Sequence, residues 1–162
     1  MGNSSSVFPY GIHFSEDGLI RVDPVAHVRI SPKKGGVWWS FFLLIDSGAT
    51  ISALPKSDAE ALGVTLTEGK KLVISGVGGE PVVGWQHALF VKFMESSTVF
   101  SVPFVFLDNP KAPRILGREG VFEKFTFVFE EDNRRSGVLQ TGSRESKSVS
   151  VTLDKIAGRI RR

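Results

Sequence analysis

The segment that most restricts the fold is residues 37–45, Val-Trp-Trp-Ser-Phe-Phe-Leu-Leu-Ile, which ends on a single carboxylate, Asp46, followed by Ser47, Gly48 and Ala49. Nine residues are too few for a typical buried helix, and the aromatic content suits a strand, so the run reads as a strand buried on both faces. Burying an unpaired charge costs several kcal/mol or more, on the order of a large share of a domain's net stability. Asp46 therefore either caps a turn at the surface or is placed for proton chemistry.

The rest of the chain is built the same way, from short apolar runs separated by turn residues, with 17 glycines and 8 prolines in 162 residues. That punctuation favours strands over long helices and a mainly β fold with one or two short helices. Residues 19–31 read as one or two strands around Pro24, and 32–36 as a turn. Residues 54–63 read as a short helix, with Pro55 in the first turn, Asp58 and Glu60 in the N-terminal half and Gly63 at the C-cap. Residues 71–75 and 81–93 read as the arms of a hairpin about the glycine cluster 76–80. Residues 97–109 read as a strand in which Pro103 marks an edge or a bend. After the short apolar run 114–117, residues 118–125 read as a helix presenting Val121, Phe122 and Phe125 on one side, and 126–131 as a closing strand.

Three segments follow from this reading: a polar leader over 1–18, a folded domain over 19–131, and a polar linker and C-terminal tail over 132–162. Residues 132–147 read as linker-like, and 148–162 as a docking segment, a frayed helix or an extra strand. The opening Met-Gly-Asn-Ser-Ser-Ser fits a myristoylation pattern, for which a flexible polar leader is the plainer reading.

Composition removes several chemistries. The chain has no cysteine, which excludes disulfides, thiolate nucleophiles and cysteine-held metal or iron–sulfur sites. His13, His27 and His87 show no metal-ligand spacing, so neither a metal nor another cofactor is expected. The net charge of +3 owes much to the last four residues, Arg-Ile-Arg-Arg, which read as a solvated end. Trp38, Trp39 and Trp85 lack an interleaved basic stripe, so no nucleic-acid partner is expected. No apolar run reaches the ~18–20 residues that span a bilayer, and no secretory signal is evident. The lack of cysteine and of a signal is compatible with a cytoplasmic setting. Ser47 has no Gly-x-Ser-x-Gly elbow and no evident triad context, which argues against a nucleophilic serine.

Taken singly, Asp-Ser-Gly, Gly-Val-Gly-Gly and Ile-Leu-Gly-Arg are ordinary turns and strand ends. In this order, "LLIDSGAT", "VISGVGGEPV" and "RILGREGVFEKFTFVFEE" together resemble the retropepsin-like aspartic proteases, over roughly residues 19–131. The resemblance implies a closed acid-protease β-barrel with a flap hairpin, and a homodimer in which each copy contributes one aspartate to a shared site. It makes Asp46 catalytic, with Ser47, Gly48 and Ala49 supporting the active-site turn. Val77, Gly78 and Gly79 become the flap tip over an extended polypeptide substrate, and Leu116, Gly117 and Arg118 pack beside the catalytic turn. One carboxylate of the pair would activate a water and the other would protonate the developing gem-diol, the action of an aspartic-type endopeptidase.

Two departures accompany the likeness. Thr50 stands where retroviral members carry an acid, so Arg118 is expected to turn to Glu119 or Glu123. The paired termini of the retroviral dimer sheet are not evident, and residues 126–131 are the candidate for that role. The alternative reading is a catalytically silent retropepsin fold that binds peptides or dimerises. A precursor that cleaves itself within 4–11 or 136–143 is a third.

Overall fold

The computed structural model describes residues 5–14, 18–75 and 80–160. In chain order the strands are β1 (Ser5–Pro9), β2 (Gly11–Phe14), β3 (Ile20–Asp23), β4 (Val25–Ser31), β5 (Trp39–Ile45) and β6 (Ser52–Pro55). They continue as β7 (Lys70–Ile74), β8 (Val82–Phe93), β9 (Phe100–Leu107), β10 (Ile115–Leu116), β11 (Phe125–Glu130) and β12 (Arg135–Gln140). Helix α1 (Lys56–Leu62) follows β6, and α2 (Arg144–Ile160) follows β12.

Six strands close a barrel in the order β4-β5-β10-β6-β9-β8, and β8 returns to β4 through pairs from Val28–Phe93 to Ser31–Phe90. Closure removes the open edges that a flat sheet would expose. The 12-residue β8 makes it possible, since it pairs with β9 along most of its length while its first residues pair with β7 and its last four reach β4. β7 hangs outside the ring on β8, as the first arm of the expected hairpin. Val77, Gly78 and Gly79 at its tip lie outside the described residues.

The two-residue β10 is inserted between β5 and β6, parallel to the first and antiparallel to the second. Inside the barrel, Val28, Leu43, Leu54, Leu89, Val102 and Leu116 are fully or almost fully buried. A second sheet, β1-β12-β11, lies over one end. Its contact is aromatic: Phe93 packs edge-on to Phe125 at 4.9 Å and tilted to Phe8 at 6.2 Å. Such pairs contribute ~0.5–1.5 kcal/mol beyond their area burial. The hairpin β2–β3 forms a third, separate sheet.

Several expectations change on folding. β5 is not buried on both faces: Phe41, Leu43 and Ile45 point into the core, while Phe42 on the opposite face is 63% exposed. A barrel wall has an inside and an outside, and aromatic content alone does not distinguish the two. Pro103 lies neither at an edge nor at a break, because β9 runs between β8 and β6. β6 begins pairing only at Phe104, so the missing N–H is tolerated one residue earlier. Residues 118–124 form successive turns rather than a helix, with Gly120 at φ 74°. That left-handed residue stops a helix after one turn.

Within the polar segments outside 19–131, Phe8 and Val138 are buried, and β1 pairs with β12 across the chain. The tail 144–160 is helical. No helix of the described residues is long and apolar enough to cross a membrane.

Candidate active site

β5 ends at Ile45, and the chain turns at once through Asp46, Ser47, Gly48 and Ala49. The Asp46 carboxylate makes that turn: Oδ1 accepts the amide of Gly48 at 2.8 Å and that of Ala49 at 3.2 Å. A short acidic side chain bonding backbone two and three residues on is the physical reason Asp suits this position. Both bonds fall on one oxygen, so the turn itself makes no use of Oδ2. Asp46 is half-buried and Ser47 exposed, which leaves the carboxylate at the rim of the barrel rather than inside it.

The turn is braced from the opposite end of the chain. The Asp46 amide donates to the carbonyl of Leu116 at 3.1 Å, and the amides of Arg118 and Glu119 donate to the carbonyls of Ala49 and Thr50 at 3.0 and 2.9 Å. Between them Gly117 passes so close to the 51–52 backbone that an added Cβ would stand 2.5 Å from the carbonyl carbon of Ile51. Its amide is satisfied by the hydroxyl of Ser52 at 3.0 Å, in a buried bond. Leu116 is wholly buried beneath. The segments around Asp46 and Leu116–Arg118 are thus one unit.

Arg118 does not turn to Glu119 or Glu123. Its guanidinium donates to the hydroxyl of Thr50 at 3.3 Å, so the residue in the acid's place remains its partner, as a neutral acceptor. The firmer ion pair lies next door: Arg114 grips Asp58 of α1 through Nε and Nη2 at 2.7 and 2.8 Å, and Asp58 is 5% exposed. The hydrogen bonds to Asp58 push the Arg114 guanidinium above its ordinary range, against its partial burial. The carbonyl of Arg114 meanwhile accepts the amide of Leu44. The loop before β10 is therefore tied both to the helix and to the strand that delivers Asp46.

Two further residues escaped the sequence reading. Ser52 could have been noticed as the one polar residue in the apolar stretch Ile51–Pro55. Pro24, whose carbonyl accepts the amide of Ile45 at 2.8 Å, gives no side-chain signal at all. Alternation along β5 puts Phe42 and Leu44 on the same side as Asp46. Phe42 and Leu44, with Val25, Pro113 and Arg114, line a cleft whose wall does not include Asp46 itself. Among the described residues no group of His, Asp or Glu is arranged to hold a metal.

Comparison with known proteins gives a likeness of fold. A family model described as aspartyl protease matches residues 40–119, from β5 through the segment that braces the turn. A solved structure titled a retropepsin-like aspartic protease from Rickettsia conorii superposes with a TM-score of 0.52 at 22% identity, covering 83% of this chain and 92% of that one. The fold of this chain is retropepsin-like. EIAV protease complexed with the inhibitor HBY-793 also aligns, at 21% identity and a TM-score of 0.41, over 59% of this chain and 82% of that one. No curated protein sequence matches. In this barrel Asp46 to Ala49 form the turn that follows β5, and Leu116 to Arg118 lie against it.

Proposed function

We propose that the protein is an aspartic endopeptidase whose site is completed by a second copy of the chain. The observation that carries this reading is the Asp46 turn. A lone carboxylate is fixed through one oxygen by two backbone amides, at the rim of the barrel, on a floor made by Leu116 and Gly117.

One such carboxylate per chain is half of an acid–base pair. Two brought to close range share a single proton, because both cannot ionise together. The ionised member takes a proton from water as the water attacks the peptide carbonyl. The protonated member donates to the carbonyl oxygen, and proton return to the nitrogen releases the amine. Ser47 would link the two turns, and Gly48 would leave room for substrate backbone. Val77, Gly78 and Gly79, at the tip between β7 and β8, would close over an extended peptide and exclude water.

The test is cleavage of a peptide library between about pH 3 and pH 8, by wild type and by Asp46→Asn, with and without a statine-type inhibitor. Cleavage that disappears in the variant and under inhibitor supports the reading; cleavage retained by clean Asp46→Asn overturns it. A silent peptide-binding module is the second reading. It is favoured by the neutral Thr50 that Arg118 contacts in place of an acid. Peptide binding without turnover at any pH would select it.

A further inference from the structure

The hairpin β2–β3 carries a cluster of highly exposed large apolar side chains. Its register pairs Ile12 with Val22 and Phe14 with Ile20, which collects apolar side chains on one face. Ile12 is 71% exposed, Phe14 76% and Ile20 63%, and Leu19 beside them is 59% exposed. The other face is polar, with His13 and Asp23 3.3 Å apart on the wall of the cleft beside Phe42 and Leu44. A two-stranded hairpin with an uncovered apolar face is marginal by itself, and monomers rarely carry such a patch without a use for it.

We propose that this face is covered by a second copy of the chain, making the hairpin the arm that holds two half-sites together. The inference rests on the reading of Asp46 as half of a pair, and three observations select this occupant. First, the hairpin is rooted beside the site: Pro24, immediately after β3, accepts the amide of Ile45, the residue before Asp46. A copy that brings its own Asp46 up to this one passes next to the hairpin. Second, the terminal strands that pair between copies in retroviral members are engaged within this chain, as β1 on β12 on β11. A dimer of this chain needs contact surface elsewhere. Third, the area is sufficient. At roughly 200 Å² of surface per large apolar side chain, the four exposed residues present about 500 Å² per copy, so two copies bring ~1,000 Å², the size at which specific interfaces begin.

The experiment is sedimentation equilibrium of the full chain and of Ile12→Ser/Phe14→Ser, with Ile20→Thr as an independent variant on the opposite strand, and peptide cleavage in parallel. These side chains are exposed in the single copy, so far-UV circular dichroism should not change. The expected result is a wild-type dimer and a dissociation constant raised at least ~30-fold in the double variant. Cleavage by the variant should be lost at low protein concentration and recovered as concentration rises.

A variant dimer as tight as wild type overturns the inference alone and points to the open edge of β11. An intact variant dimer with raised KM also overturns it and assigns the face to substrate. A wild type that is monomeric yet cleaves overturns both the inference and the paired-aspartate reading, and one that is monomeric and silent overturns the inference. Hairpin-dependent dimers that never cleave would uphold the arm and sink the protease.

Discussion

Asp46 and Gly117 make opposite demands on substitution. Asn at position 46 keeps an oxygen that can accept the amides of Gly48 and Ala49, so Asp46→Asn should leave the turn and the melting temperature almost unchanged. It should remove cleavage by on the order of 10³-fold or more, because an amide does not exchange a proton in the working range. Asp46→Ala also deletes the turn's acceptor, and should lower the melting temperature as well as the activity. Comparison of the two by calorimetry and peptide assay separates charge from turn.

Gly117 is governed by space instead. Its missing Cβ would overlap the backbone at Ile51, so Gly117→Ala should destabilise by about 2–3 kcal/mol, read as a lowered urea midpoint at constant slope. Ser52→Ala leaves the Gly117 amide buried without an acceptor and should cost about 1–3 kcal/mol. In both variants the loss should appear in stability before it appears in the chemistry of intact protein.

The strands and their connections differ in how far the sequence announced them. β4, β7, β8 and β11 were legible because alternation and glycine or proline boundaries are local signals. So was α1, from Pro55 to its Gly63 cap at φ 66°. The turns at 118–124 were not, since three apolar residues at helical spacing outweighed one glycine. β12 was hidden by its polar composition, and only pairing with β1 and β11 fixes it.

The β11–β12 turn carries a test of its own. Bonds from Arg135 first and Asn133 second hold the Glu130 carboxyl below its ordinary value of 4.5. The folded form therefore favours the ionised group, and its contribution is present above pH 4.5 and lost as pH falls through the lowered folded value. Wild type should melt slightly above Glu130→Gln at pH 7, and the difference should shrink as pH falls below 4.5. At the other connection, Arg114→Ala strands a buried Asp58 and should cost about 2 kcal/mol, moderated because the arginine side chain is half-exposed.

Taken as one object, the protein is a closed barrel with three attachments of unequal weight. The β1-β12-β11 sheet belongs to the core through Phe8, Phe125 and Val138. α2 does not: beyond Ser146, which is buried and whose amide donates to the capping hydroxyl of Ser143, its described side chains are largely exposed. A chain ending at residue 147 should melt within about 2 °C of the full chain. Removal of residues 1–9 exposes the Phe93 cluster and should lower the melting temperature by ~10 °C or more.

β10 has only two residues, yet it sits between β5 and β6 and closes over the Asp46 turn. Its partners precede it in the sequence by some 60 to 70 positions, for example Ile115 against Ala53 and Leu116 against Ile45. A chain emerging from the ribosome therefore exhibits its aspartate long before the floor beneath it exists. The turn cannot take its final form until residue 118 has been synthesised and threaded home. Assembly order is thus a clock: the carboxylate is made early and becomes positioned late, once nearly the whole barrel is present.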